Sequence, residues 1–510
     1  MNNVMNIVNF VRGCEPRKPM DLLTPIAEEI KIDKSYGFKH TFLLQYDALL
    51  REDMVELFKR EKDADMELGL WFEMCRPLTE KVGIEWRGRE GFDWDWYVNP
   101  GFLPAYTPKQ REALIDEVFE LFKKTFGYYP KSAGSWLLDA HSMAYMSDKY
   151  GMDAFCICRE QYAVDAYTLW GGYYSGGYYP SRNNMLCPSQ SNQTKINTPV
   201  FRMLGIDPIY GYDEKKHSPK IGGCFTMEPV WPCGADGGVM DWYFEQYYSN
   251  TSLALSQATT GQENSFGWER IEGGYRMQMQ KLYELQKSGT VRIELLGKTG
   301  ADFKMRHSKT PASALSALRD WSNNGIQSIW YSSAKWRANL FLKKGRLIFR
   351  DIQKFDDRYT ERYLTAACEG WLATYDNLPV VDNRLWSKDE KECAWIFKDT
   401  VETIESSMEN ENGELEITVR FSDGHSGVLT FAENGFTARD CGNIIISLGE
   451  CDTEVKADGN KLYFRRNCFD YVVGVDGKLT VTNSGYKAES ISEILSVQMD
   501  ILSEQEKNTY

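Results

Sequence analysis

The chain of 510 residues is poor in histidine and has no paired-cysteine motif. Its five histidines are His40, His141, His217, His307 and His425, and none stands in an HxxxH or HxH spacing. A histidine-built metal centre therefore has little support, and neither metal nor cofactor is expected. The 12 cysteines are scattered. Only Cys156 and Cys158 lie close, and alternation along a strand would put both on one face, too near for an ordinary disulfide. Reduced thiols and a cytoplasmic location are the expectation. The opening residues MNNVMNIVNFVRGCEPR lack a basic stretch followed by a long apolar one, so no secretory signal is expected. No run approaches the about 20 apolar residues of a membrane helix. There is no GxGxxG after a strand, no P-loop and no GxSxG elbow, which argues against nucleotide binding and serine-hydrolase chemistry. Basic charge is also short. The net charge of −14 argues against a nucleic-acid surface and suits an enzyme with a neutral substrate. Membrane partners are not expected, and the oligomeric state is not legible.

What is present is apolar and aromatic material, 42% and 14% of the chain, ample for a large core. Length alone suggests two to four domains at about 150 residues each. In the first half, short apolar runs end in polar residues and pass into helices. Asn6–Val11 leads to Arg12-Gly-Cys-Glu15-Pro-Arg17, Thr41–Gln45 to Asp47, Glu67–Phe72 to Glu73, and Asp153–Cys158 to Arg159, Glu160 and Asp165. Val200–Leu204 and Gly223–Met227 are further strand candidates, with Glu228 and Asp236 just beyond the latter. Thr251–Ala258 opens into Gly261-Gln-Glu-Asn-Ser-Phe-Gly-Trp268, and Thr290–Leu295 would be the last strand of this kind. The repetition predicts a parallel α/β barrel. Thr107-Pro-Lys-Gln110 is a capping box starting a helix that runs to about Phe126. Thr310-Pro311 predicts a short helix ending near Asn323. The Tyr- and Gly-rich stretch 168–192 reads as an ordered rim of a polar site. From Ile326 hairpin signals take over: Lys344-Gly345, Asn412-Gly413, Asp423-Gly424, Asn434-Gly435, Asp458-Gly459 and Asp476-Gly477. They predict an antiparallel β-sandwich. The expected division is residues 1–320 as barrel and 326–510 as sandwich.

The candidate chemistry lies in carboxylates and arginines at strand ends. Lys131–Asp139 reads as a short buried strand ending in a carboxylate at the start of helix Ala140–Tyr150, which Gly151 stops. Asp139 is therefore either a helix cap or a reacting group. Glu263 is proposed as its partner, with Trp268 walling off water, or else as a loop carboxylate paired with Arg270. Paired carboxylates near tryptophans are what glycoside hydrolysis needs, one protonated and one ionised. Glu15, Arg17, Asp47, Glu73, Trp71, Arg159 and Asp165 are candidate substrate contacts. So are Trp94 and Trp96 in the insertion Trp86–Tyr106, which could instead be a strand packed on the body.

Gly134-Ser-Trp-Leu-Leu-Asp139-Ala-His-Ser-Met-Ala-Tyr145 resembles the Gly-x-Trp-Leu-Pro-Glu-x-x-Tyr segment of family-57 glycoside hydrolases, whose glutamate is the nucleophile. Asp139 stands in place of the glutamate and Leu138 in place of the proline, and the family's histidine-rich first strand is here Asn9-Phe-Val-Arg-Gly-Cys-Glu15. The resemblance implies an incomplete (β/α)7 barrel, related to those of family-38 mannosidases and polysaccharide deacetylases, and an all-β region behind it. It implies a bacterial, metal-independent glycosidase acting on an oligo- or polysaccharide. A polysaccharide deacetylase and a non-catalytic carbohydrate-binding protein are the alternatives; the former lacks its Asp-His-His motif here.

Overall fold

The computed structural model describes residues 2–160, 169–213, 226–388, 391–490 and 493–499. Asp165 and His217 lie outside the described residues, as does most of Gly223–Met227. The strands of the first half are β1 (Asn3–Val11), β2 (His40–Leu44), β3 (Met66–Trp71), β4 (Ser132–Ser135), β5 (Ala154–Cys158), β6 (Gly177–Tyr178), β7 (Val200–Met203), β8 (Ser256–Thr260) and β9 (Arg292–Ile293). They form one sheet in the order β6-β7-β5-β4-β3-β2-β1-β8. Among the described residues eight strands, β1–β5 and β7–β9, run parallel. The short β6 is antiparallel to β7. β9 lies on the β2 side of β1, pairing with Val4 and Met5 below the stretch that β2 uses. This is the incomplete barrel. Strands buried on both faces favour continuous apolar runs, which is why the runs of the sequence were readable.

Helices cover the sheet. The helix Pro108–Phe126 has the expected capping box, Thr107 with Gln110, and ends at a left-handed Gly127. Its inward stripe is Arg111, Leu114, Ile115, Val118, Phe119 and Phe122. The helix Trp268–Lys287 buries Ile271, Tyr275, Met279 and Leu282. No helix among the described residues is long and apolar enough to cross a membrane.

The second half is antiparallel. Its strands begin with β10 (Ser313–Ala317), β11 (Gln327–Ser332), β12 (Trp336–Lys343), β13 (Arg346–Lys354), β14 (Leu378–Asp382), β15 (Cys393–Phe397), β16 (Val401–Glu409), β17 (Leu415–Phe421) and β18 (Ser426–Ala432). They continue with β19 (Gly435–Arg439), β20 (Ile444–Leu448), β21 (Glu454–Asp458), β22 (Lys461–Arg466), β23 (Phe469–Asp476), β24 (Lys478–Thr482), β25 (Gly485–Glu489) and β26 (Ile494–Gln498). One sheet runs β10-β11-β12-β13-β15-β20-β25-β24 and the other β16-β17-β18-β19-β26-β23-β22-β21. Their facing side chains, among them Trp336, Phe349, Trp395, Phe431 and Phe436, make one core. At Lys344-Gly345 both residues have positive φ, 51° and 77°, the geometry a two-residue hairpin turn requires.

Three expectations are corrected. The segment predicted as a helix after Thr310 is strand β10, paired with β11. Asp320 organises the turn between them, accepting from the backbone N–H groups of Ser322, Asn324 and Ile326. Tertiary pairing overrides the local capping signal. Asp476-Gly477 is no hairpin: β23 pairs with β22 and β26 while β24 pairs with β25 in the other sheet, so the chain changes sheets there. Residues 169–192 are ordered but form a packing layer rather than a rim. Tyr174 stacks on Trp330 at 3.7 Å, and Tyr173 and Tyr179 donate to the carbonyls of Pro311 and His307.

Candidate functional site at the carboxyl ends of the strands

The first residue past β1 is Arg12, which is 3% exposed. Its Nε and Nη2 donate to the two oxygens of Glu73, at 2.7 and 2.8 Å. Glu73 follows β3. From the other side, Glu263 Oε2 lies 2.7 Å from Arg12 Nη1, and Ser265 Oγ bridges, accepting from Arg12 and donating to Glu263, both at 2.8 Å. The Trp94 ring covers the guanidinium 3.9 Å away. Taking this arginine out of water disfavours its charge, but the two carboxylates more than restore it, so its pKa rises above the usual arginine range.

Glu228 completes the cluster. It accepts from Thr226 Oγ1 and Trp231 Nε1 on one oxygen and from Gln262 Nε2 on the other. Burial and the neighbouring charge of Glu263 push its pKa up to about 7, against the pull of these three hydrogen bonds. Burial also raises Glu263, and Arg12 opposes that rise. The two carboxyls thus have different partners: one faces a permanent cation, the other faces neutral donors.

Local sequence sets this geometry. Beyond β8 the chain turns at Gly261, whose φ is +128°. A Cβ there would stand 2.0 Å from the carbonyl oxygen of Val8, so only glycine lets the β8 end approach β1. Asn9 Oδ1 then accepts from Gln262 N–H, and Phe10 N–H donates to Gln262 O. Asp47, after β2, accepts from Gly13 N–H at 2.9 Å and so pins the loop behind Arg12. Beneath the cluster Phe10, Trp71 and Trp136 pack together, with centroids 4.3 to 5.6 Å apart.

The structure sorts the predicted residues. Glu263, Glu73, Trp94 and Asp47 meet around Arg12 as just described. Glu15 and Arg17 form a salt bridge at the same mouth, and Arg17 lies over the Trp94 and Trp96 rings, 5.5 and 5.8 Å away. Trp96 is half-buried and the segment 91–97 is a loop with a single bridge, Cys75 to Trp94, rather than a strand. Trp71 is buried in the floor and presents no surface.

Four readings are corrected. Asp139 does not join Glu263. Its carboxylate accepts from Ser142 N–H, Ser142 Oγ and Arg111 Nη1, at 2.9, 2.7 and 2.9 Å, and both ionic side chains are fully buried. It caps a helix and neutralises an interior arginine. Trp268 packs near Tyr275 and Arg276 on its own helix, and the tryptophan bonded to Glu228 is Trp231. Arg159 is buried behind β5, donating to Tyr174 O, away from the Arg12 contacts. Arg270, the alternative partner considered for Glu263, lies over the Phe266 ring.

Sequence reasoning passed over Arg12, Glu228, Trp231 and Ser265 as site residues. Arg12 and Glu228 had the same strand-end signal as the chosen carboxylates. Trp231 had none, because its role depends on a turn that folds back onto Glu228. The described histidines are elsewhere: His40 pairs with Asp33 at the amino end of β2, His141 with Glu112 and His425 with Asp423, and His307 follows a helix on the Asn2 side of the barrel. No group of three or more metal-ligating side chains occurs among the described residues.

A family model described as a domain of unknown function with a solved structure, DUF3863, matches residues 95–281. No curated protein matches the sequence. Among solved structures, a protein of Parabacteroides distasonis described as a candidate glycoside hydrolase/deacetylase aligns with a TM-score of 0.53 at 15% identity, covering 75% of this chain and 90% of that one. That likeness shows the fold. A candidate polysaccharide deacetylase from Mycobacterium smegmatis aligns at a TM-score of 0.36 and 8% identity, over 60% and 92% of the two chains. A GH57-type branching enzyme from Pyrococcus horikoshii aligns at 0.34 and 10%, over 59% and 71%.

Proposed function

We propose that the chain is a carbohydrate-active hydrolase that cleaves glycosidic bonds with Glu228 as general acid and Glu263 as nucleophile or general base. The observation that carries this reading is the divided carboxyl pair at the barrel mouth, with Glu228 raised to about 7 while Glu263 faces Arg12. Glycoside hydrolysis needs one carboxyl that holds a proton near neutral pH to give to the leaving oxygen. It needs a second that is ionised to attack the anomeric carbon or to activate water. Arg12 favours the ionised form of Glu263 against the upward push of burial, and Glu73 holds Arg12 in place by its two-pronged bond. Trp96 and Arg17, the accessible members of this group, are proposed as substrate contacts, with Trp94 and Glu15 buried behind them: an aromatic face stacks on a sugar's C–H surface, and a charged group bonds its hydroxyls. The fold shared with the Parabacteroides distasonis protein agrees with this class.

The test is turnover on a panel of aryl glycosides and soluble oligosaccharides. Glu263→Gln and Glu228→Gln keep side-chain shape and remove the charge or the proton. Each is expected to lower turnover by at least about 100-fold, the low end of acid–base contributions. Full activity in either variant removes that residue from the mechanism. Release of acetate from acetylated sugars, with glycosidic bonds left intact, overturns the reading in favour of a deacetylase.

A further inference from the structure

The segment between β13 and β14 leaves the sandwich and lies across the barrel mouth. Its backbone is fastened at many points. Tyr363 O and Ala366 O accept from Arg111, Cys368 N–H donates to Pro104 O, Glu369 O accepts from Asn99 Nδ2, and Trp371 O accepts from Val98 N–H at 3.0 Å. Within the segment Thr374 N–H donates to the Tyr363 hydroxyl. At its root the two oxygens of Glu361 accept the N–H groups of Ala140 and Met185. Yet this tightly held segment projects two large apolar side chains into solvent, Trp371 at 54% and Leu372 at 56% exposure. An exposed indole on a fixed backbone forgoes burial without gaining freedom, and exposed apolar surface of this kind marks a contact site.

Its position names the occupant. Trp371 meets Tyr97 edge to face at 4.1 Å, Tyr97 lies 5.9 Å from Trp96, and Trp96 lies 6.1 Å from Trp94. Trp94 is the ring that covers Arg12. The aromatic side chains therefore form an unbroken row from the proposed catalytic carboxylates to the exposed indole. We infer that Trp371 is a distal sugar-stacking subsite contributed by the sandwich, and that the ligand is a long saccharide chain laid along the row from Trp96 to Trp371. Aromatic faces suit successive pyranose rings because each ring offers an apolar C–H face while its hydroxyls stay in water. A single sugar at Glu263 would leave Trp371 without a role. This rests on the reading of the barrel mouth as a carbohydrate site.

The experiment is affinity electrophoresis of the full chain in gels containing soluble starch, xylan, glucomannan or laminarin, with titration of short and long oligomers of whichever polymer retards it. It uses Glu263→Gln to prevent hydrolysis, alone and combined with Trp371→Ala or Trp371→Phe. The expected result is retardation by at least one polymer and tighter binding of long than of short oligomers. Trp371→Ala should weaken the long oligomers by at least about 5-fold, the scale of an aromatic contact residue, and Trp371→Phe by less. Met305→Ala, at an exposed position on the helix Leu296–Arg306, should change nothing. The inference is overturned if no polymer retards the protein, if Trp371→Ala binds long oligomers unchanged, or if it alters only self-association, which would make the patch a contact between copies. Binding that depends on Trp371 in a protein without hydrolytic activity removes the hydrolase reading and leaves the subsite standing. Hydrolysis indifferent to Trp371 does the reverse.

Discussion

Asp139 shows why a residue's surroundings decide its role. A carboxylate at a strand end and helix start satisfies both a cap and a reacting group. Here the carboxylate caps the helix at Ser142 and lies wholly buried against Arg111, whose side chain is equally buried. Asn caps a helix nearly as well as Asp, which by itself would make Asp139→Asn cheap. The arginine changes that, since removing its charge partner leaves a buried cation uncompensated. Asp139→Asn is expected to destabilise the fold by about 3 kcal/mol, measured by denaturant unfolding, while the pH profile of the remaining activity keeps its shape. Glu228 makes the opposite case. A general acid works only while protonated, so activity should fall as pH rises through about 7. Glu228→Gln should lack that alkaline limb in whatever activity survives. The linkage has the same sign: a carboxyl whose folded pKa lies above its ordinary 4.5 favours folding fully below that value and loses the contribution as pH rises towards 7. A limb that persists in the variant would assign it to another group.

At the scale of elements, the periodic signals were legible and the connections were not. Most of the parallel strands show as apolar runs because both of their faces are buried, although β4 and β8 bury small and polar residues instead, and the helix Pro108–Phe126 carries its own cap and stop. The region around Thr310 had a capping signal too, but Ser313-Ala-Leu-Ser-Ala317 finds a partner in β11, and a ladder of strand pairs outweighs a local preference. At Asp476-Gly477 the dipeptide announces a sharp change of direction without saying whether the next strand pairs with the last. Gly261 is readable as a turn in the sequence. That it must be glycine because Val8 passes beside it is visible only when β8 lies along β1.

At the scale of the molecule, we propose that barrel and sandwich divide between Arg306 and Ser313, earlier than residue 320, since β10 already belongs to the sandwich sheet. The two are not independent. Tyr174 stacks on Trp330, Arg337 of β12 pairs with Glu160 behind β5, and one apolar cluster draws Tyr247, Met279 and Ile293 together with Phe341 and Ile348. A chain ending at residue 311 would expose that face, so it is expected to aggregate or to lose near-ultraviolet circular dichroism, whereas the full chain unfolds in one transition. A soluble, cooperatively folded fragment would show the interface to be dispensable.

The amino-acid order by itself determined the parallel barrel, the antiparallel region behind it and the placing of polar groups at strand ends, because burial periodicity and turn chemistry act over a few residues. Which of those polar groups meet was decided by the tertiary structure. Arg12, Glu73, Glu228 and Glu263 are far apart in the chain, and only the closing of β8 onto β1, beside β2 and β3, brings Glu73 and Glu263 onto Arg12, with Glu228 bonded to the neighbouring Gln262. Asp139 had the same local signal and went to Arg111 instead, because the helix carrying that arginine packs against its strand end. A charge at a strand end is a local property, and its partner is a property of the fold.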